Sequence, residues 1–284
     1  MRGCNQFCSY CIVPYTRGRE RSRPFNSIVK AAKEIVTKNI PQVTLLGQNV
    51  NAYNYGEYNL SDVLEGVARI QGIRRIRFMS PHPKGFTQEM LKVMRDNNNI
   101  CNHIHLPLQS GSSNILESMN RTYTKKDYLK LVGQIKKHIP GIALTTDIIV
   151  GFPGESKQDF KDTLDVMQEV EFDNAFMFQY SPRPGTYAAK HMEDNIPYKL
   201  KNQRLQRVIE LQHKHTTRKN KELLGQKLEV LVEGTSKKDE NEKIGRTESG
   251  KLVIIKAGQG KIGEFTDVKI TGTAGVSLFG EIPQ

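Results

Sequence analysis

The chain has 284 residues, 37% apolar and 25% charged, enough for a substantial buried core and for two domains. That composition excludes a disordered tail or a collagen-like fibre, and no apolar run reaches the roughly 18 to 20 residues that cross a bilayer. Forty-two Lys and Arg against 30 Asp and Glu give a net charge of +12, which favours a polyanionic partner.

Apolar runs and helical patterns alternate along the first two thirds of the chain, the signature of a parallel sheet in an α/β fold. Strands are predicted at 43–47, 74–79, 103–108, 143–150 and 174–180, with helices at 26–39, 61–70, 87–96, 113–119, 125–138 and 157–169. Ser181-Pro-Arg-Pro-Gly185 then breaks the pattern. Between Lys199 and Glu222 lie eight basic and two acidic side chains with apolar residues at helical spacing, which predicts a basic amphipathic helix. After it the period changes to two at 227–233, 252–255 and 265–270, with glycines between (Gly234, Gly245, Gly250, Gly258, Gly260, Gly263). That pattern predicts a small all-β barrel. The domain boundary falls near 220, giving domains 1–219 and 220–284. Residues 220–284 carry ten basic and ten acidic side chains, so the excess charge lies wholly in the first domain.

Three of the four cysteines, Cys4, Cys8 and Cys11, fall within eight residues. A disulfide does not suit the cytoplasmic setting expected of a chain whose start, Met1-Arg2-Gly3-Cys4, has no secretory stretch. A structural zinc site usually has four ligands, and Cys101 is ninety residues away. Three thiolates on one loop can instead hold three irons of a 4Fe-4S cluster and leave the fourth open. Cys101 itself reads as a small buried residue. His103 and His105 share one face of a predicted strand without metal-ligand spacing. Arg17, Arg19, Arg21 and Arg23 run beside the cysteine loop, as phosphate contacts or as a solvated face.

The Cys-x-x-x-Cys-x-x-Cys spacing beside strand-helix repeats resembles the radical S-adenosylmethionine (SAM) enzymes. Arg2-Gly-Cys4, Pro14-Tyr-Thr-Arg-Gly18, Ser22-Arg-Pro24, Leu106-Pro-Leu-Gln-Ser-Gly111, Gly151-Phe-Pro-Gly-Glu155 and Ser181-Pro-Arg-Pro-Gly-Thr186 resemble the methylthiotransferases of that superfamily, and the terminal barrel resembles their RNA-binding TRAM domain. The implied fold is a partial (βα)6 radical-SAM barrel followed by a small all-β TRAM barrel. Leu46-Gly-Gln-Asn-Val-Asn-Ala-Tyr53 resembles the branch that adds a methylthio group to carbon 2 of isopentenyl-adenosine beside the tRNA anticodon. Relatives acting on threonylcarbamoyl-adenosine in tRNA or on a ribosomal protein are the alternatives within the family. A non-catalytic RNA-binding module with a structural metal clip is the alternative outside it.

The resemblance implies that Cys4, Cys8 and Cys11 hold the cluster and that SAM chelates the open iron. An electron donor then triggers formation of a 5′-deoxyadenosyl radical, and a sulfur donor that the sequence does not identify completes the reaction. Gln48 and Asn49 stand where the superfamily has a Gly-Gly-Glu stretch and are expected near the methionyl amine, unless they only support the loop. Asp147, Gly151 and Glu155 match the adenine-binding stretch approximately, and Gln109 and Ser110 are candidate ribose contacts. Arg204, Arg207, Lys214 and Arg218 are the expected RNA contacts on the basic helix. Because the cysteine loop begins at residue 4, the first barrel strand is expected to be missing. So is the family's N-terminal domain, whose three cysteines hold an auxiliary 4Fe-4S cluster, and such a fragment is expected to form the radical without completing sulfur insertion.

Overall fold

A computed structural model describes residues 1–256 and 260–283; Gly258, one of the expected barrel corners, lies outside them. The first part of the chain runs α1 (Val13–Arg17), α2 (Phe25–Val36), β1 (Gln42–Leu45), the hairpin β2 (Asn54–Tyr55) and β3 (Tyr58–Asn59), α3 (Leu60–Ala68), β4 (Arg75–Phe78) and α4 (Gln88–Asp96). It continues with β5 (His103–His105), α5 (Ser113–Ser118), α6 (Lys125–His138), β6 (Ala143–Val150), α7 (Lys157–Val170), β7 (Asn174–Gln179), α8 (Tyr187–His191) and α9 (Tyr198–Lys221). In this part of the chain each expected strand and helix is found within three residues of its predicted bounds. Side chains fix several starts: Asn59 with Asp62, Thr124 with Asp127 and Ser156 with Asp159 form reciprocal capping boxes, each satisfying two amides that the first helical turn leaves unpaired. Pro107, which has no N–H for a ladder, follows the end of β5.

β1 pairs in parallel with β4, and β5, β6 and β7 pair in parallel in that order. A single parallel bridge, Ile76 to Ile100, links the two sets. The strands therefore follow one another in chain order around an arc, as in the expected barrel. Strand alternation then divides the residues between two environments. On β6, Leu144, Thr146, Ile148 and Val150 are buried while Thr145, Asp147 and Ile149 are half-buried. Leu144, Ile148 and Val150 pack in one cluster with Leu64, Val67, Met90, Leu91, Ile135, Val166 and Met167 of the helices, each large apolar side chain contributing about 1.5–3 kcal/mol.

β8 (Lys227–Thr235), β9 (Lys243–Thr247), β10 (Leu252–Ile255), β11 (Phe265–Ala274) and β12 (Ser277–Glu281) close into a barrel in the order β10-β12-β11-β8-β9. Val230, Val232, Val253, Ile255, Val268, Ile270 and Leu278 fill its core. The alternation in the sequence predicts three of these strands and misses β9 and β12. The barrel docks where β4 to β7 begin. Buried Arg75 donates to the carbonyls of Arg246 (2.7 Å) and Glu229 (2.8 Å), and Arg77 to that of Thr247 (2.6 Å). The guanidiniums of Arg74 and Arg75 lie 4.0 and 4.6 Å from the centre of the Phe265 ring. Among the described residues no helix is long and apolar enough to cross a membrane.

Candidate cluster and cofactor site

The three cysteines lie in a loop with little regular structure, so contacts from elsewhere give it shape. Gly3 has φ +80° and passes so close to Arg19 that a Cβ would sit 2.0 Å from its carbonyl oxygen; any side chain there would displace the loop. The Cys4 amide donates to Gly18 O (3.2 Å) and the Cys11 amide to Cys8 O (2.9 Å). The end of α5 and the residues just after it grip the middle: Ser9 donates through its amide to Met119 O (3.0 Å) and through its hydroxyl to Ser118 O (2.8 Å). Asn120 donates to Phe7 O (2.9 Å).

All three cysteines are free thiols, Cys8 buried and the other two half-buried. Burial pushes the Cys4 and Cys11 thiols above their ordinary value. Beside Cys8 lies Arg121, whose guanidinium is 3.5 Å from the sulfur, donates to Tyr123 Oη (3.0 Å), and makes no ion pair among the described residues. Sequence reasoning missed Arg121, since an isolated arginine between two helices carries no motif. Among the described residues no three His, Cys, Asp or Glu side chains converge as ligands of one metal ion. A cluster asks for a wider spread, one thiolate per iron.

At the end of the arc where β5, β6 and β7 finish, the loop borders a cavity of about 530 Å³. Cys11, Gln109 and Asp147 line it together, so three of the sequence-predicted residues meet there. Gln109 has φ +69° and bridges to β6 through its backbone, its amide donating to Asp147 O and its carbonyl accepting from Ile149 N, both at 2.8 Å. Beside Asp147 and Ile149, their register partners Phe176 and Phe178 on β7, and Tyr180 after them, went unassigned in the sequence, and Ser181 and Arg183 of the Pro-rich break also line the cavity. Phe176 and Phe178 are 52% and 53% exposed. The period-two signal was present, but apolar residues occupy both faces of β7, so alternation alone did not say which face looks inward.

The other candidates lie elsewhere. Gln48 accepts the Gly3 amide (2.7 Å), which ties the loop after β1 to the cysteine loop. Asn49 is buried, donates to Glu20 (3.0 Å), and keeps its Oδ1 buried without a partner; that oxygen suits an ammonium donor. Ser110 is fully buried, accepts the Ser112 amide (3.2 Å) and meets the Thr163 hydroxyl (3.3 Å), so it serves the loop. The Gly151 amide donates to Glu155 (2.8 Å), and a Cβ on Gly151, at φ +69°, would lie 2.4 Å from Lys201 Cγ. These two residues hold a turn against α9, and neither lines the cavity. Of the four arginines beside the loop, Arg21 pairs with Arg2 through the backbone and Arg23 donates to Ser27.

α9 spans the expected basic stretch, but its charges are not equally available. Arg204 is 5% exposed and its Nη1 lies 2.5 Å from Glu155, whose side chain is fully buried. This corrects the expectation that Arg204 meets RNA: the apolar spacing of the sequence carries it into the core, where its charge answers a carboxylate. Arg218 is half-exposed and paired with both Glu171 and Glu222. Arg207 and Lys214 are exposed, Arg207 lying 5.2 Å from the centre of the Phe160 ring.

An arc of parallel strands with a three-cysteine loop at the end where the strands finish defines a recognisable class. The sequence pattern of the Radical SAM superfamily matches residues 1–167, and the chain belongs to that superfamily. Residues 221–282 match the TRAM domain. The chain is 49% identical over 283 residues to the tRNA-2-methylthio-N(6)-dimethylallyladenosine synthase of Moorella thermoacetica, a match covering 99% of this chain and 64% of that protein. It is 48% identical to the enzyme of the same name from Porphyromonas gingivalis, covering 99% and 62%. The chain thus spans less than two thirds of the length of these relatives. Among solved structures, the radical SAM methyltransferase TsrM of Kitasatospora setae, with cobalamin and a [4Fe-4S] cluster bound, matches with a TM-score of 0.56 at 17% identity, over 66% of this chain and 37% of that one. That likeness concerns the fold.

Proposed function

We propose that Cys4, Cys8 and Cys11 hold a 4Fe-4S cluster, that SAM occupies the adjoining cavity, and that the protein is a methylthiotransferase acting on carbon 2 of isopentenyl-adenosine in tRNA. On this reading residues 1–219 carry the chemistry, residues 220–284 contribute an RNA contact, and the protein works in the cytoplasm. The observation that carries it is the meeting of Cys11, Gln109 and Asp147 around one cavity, beside a loop whose buried cysteine faces an arginine without a carboxylate partner. The relatives' name supplies the substrate. The apolar wall of Ile149, Phe176 and Phe178 suits an isoprenoid substituent better than the charged threonylcarbamoyl group.

When bound, the cluster supplies the electron that cleaves SAM to a hydrogen-abstracting radical. The chain's own residues position and exclude. Asn49 offers its unpaired Oδ1 to the methionyl amine, while Gln109 and Asp147 offer hydrogen-bonding groups to a nucleoside. Arg121 donates to the Cys8 sulfur, and Phe176 with Phe178 lines one side of the cavity. Arg207 and Lys214 offer positive charge to phosphates. Anaerobic reconstitution tests the reading: about one 4Fe-4S cluster per chain is expected, and Cys8→Ser abolishes it. Stoichiometric zinc without sulfide, retained by the Cys8→Ser protein, would overturn the assignment.

A further inference from the structure

His103 and His105, singled out in the sequence for sharing a strand face, play no part in the function proposed above. On the neighbouring β6, Thr145 and Asp147 face the same side, and the register places His105 beside Thr145. Their side chains form an unbroken chain. His103 Nε2 lies 3.1 Å from Thr145 Oγ1, the same oxygen lies 3.1 Å from His105 Nδ1, and His105 Nε2 lies 3.2 Å from Asp147 Oδ2. The Phe176 ring meets the His105 ring edge-on, with 5.9 Å between centroids.

The donor inventory sets the direction of each link. A carboxylate only accepts, so His105 Nε2 carries the proton that reaches Asp147. In the Nε2–H tautomer the His105 Nδ1 is bare and accepts a hydrogen bond from the Thr145 hydroxyl, and the Thr145 oxygen accepts from His103 Nε2–H. Burial, with Arg77 and His105 nearby, pushes the His103 pKa down to about 4, so this ring has one N–H to give at neutral pH. The chain starts at a second cavity of about 450 Å³, which His103 and His105 share with Gly250 and Lys251 of the terminal barrel, and it ends at Asp147 in the first.

We propose that His105 and Thr145, backed by His103, are positioning residues that turn Asp147 so that its free oxygen accepts a hydrogen bond from a nucleoside in the first cavity. This rests on the reading of that cavity as a nucleoside site. The donor is a ribose hydroxyl or a base N–H, and it comes either from the SAM nucleoside or from the target adenosine in RNA.

Cluster-reconstituted protein is titrated separately with S-adenosyl-L-homocysteine and with an anticodon stem-loop RNA carrying dimethylallyl-adenosine. Thr145→Val keeps the shape and removes the hydroxyl; it should weaken one probe about three- to tenfold, the worth of one hydrogen bond, and Thr145→Ser should restore it. Asp147→Asn should weaken the same probe, and the double variant should lose no more than Asp147→Asn alone. The weakened probe identifies the donor. Nitrogen-15 NMR should find both histidines as Nε2–H tautomers. A Nδ1–H tautomer at His105, or weakening by Asp147→Asn but not by Thr145→Val, overturns the positioning role and leaves the nucleoside site standing. Equal weakening of both probes together with a lowered melting temperature overturns it as well, in favour of a purely structural role. If neither variant changes either probe, Asp147 loses its place in the cavity reading too.

Discussion

Replacing Arg204 by Met tests whether α9 docks through a buried charge. The guanidinium donates to Glu155 twice, to the carboxylate at 2.5 Å and to the backbone carbonyl at 2.9 Å, with the two side chains 7% and 0% exposed. Without it, Glu155 keeps only the Gly151 amide, and its Oε1 is unpaired already. Losing one partner of a buried pair costs about 3–5 kcal/mol. A second route limits the loss, because the stranded carboxyl can take up a proton. Burial already pushes Glu155 above its ordinary value of 4.5, against the pull of Gly151 and Arg204. Protonating it at pH 7 costs about 3.4 kcal/mol, from 2.5 pH units at 1.36 kcal/mol each. The expected loss is therefore about 3–4 kcal/mol, or roughly 6–16 °C in Tm. The native variant then holds a proton that the unfolded chain releases above pH 4.5, so its stability rises as pH falls and the deficit shrinks toward pH 5. Glu155→Gln in the same chain should recover most of the loss. Urea melts followed by circular dichroism at pH 7 and pH 5 measure both effects. A deficit under about 1 kcal/mol, or one that is the same at both pH values, would refute the reasoning.

Neutralising Arg207 and Lys214 together should lower the slope of log affinity for tRNA against log salt by about 1.5, two phosphate contacts' worth, whereas Arg204→Met should leave it alone; an unchanged slope in the double variant moves the RNA surface elsewhere. Burial alone would raise the Asp173 carboxyl, but Lys219 and Lys251 outweigh burial and hold it below the ordinary 3.8. The native state therefore binds fewer protons there, and stability present above about pH 4 is lost as pH falls through the lower folded value. Asp173→Asn should flatten that acid limb in denaturation curves, and an equally steep limb would remove Asp173 as its source. Gly151→Ala should cost about 1–3 kcal/mol, from a left-handed backbone and from contact with Lys201; thermal melting that matches the parent would show that Lys201 moves aside freely.

The sequence was most informative where periodicity was strong and caps were explicit. β6 and α6 fall at their predicted bounds because alternation on one and a Thr124-Asp127 box on the other leave little choice. β9, Lys-Ile-Gly-Arg-Thr, was missed because two charges and a glycine hide its alternation, and its pairing with β8 and β10 is what makes it a strand. Within the site, local spacing grouped the cysteines, whereas the inward face of β7 and the approach of Arg121 to Cys8 depend on contacts between residues far apart in sequence. Arg204 teaches the converse: a basic residue at an apolar helical position keeps its charge in the composition and loses it from the surface.

The clamp on β4 makes the two domains unequal neighbours. Excising the terminal barrel would strip Arg75 of the Arg246 and Glu229 carbonyls that receive its guanidinium, and a cation would stand at the foot of the strand arc beside buried Cys101. The barrel would lose much less, since its carbonyls turn to water and its own core of valines and isoleucines stays closed. Such a one-sided dependence ties the large domain's stability to the small one: the arc has all its partners only once some fifty later residues have closed into a barrel.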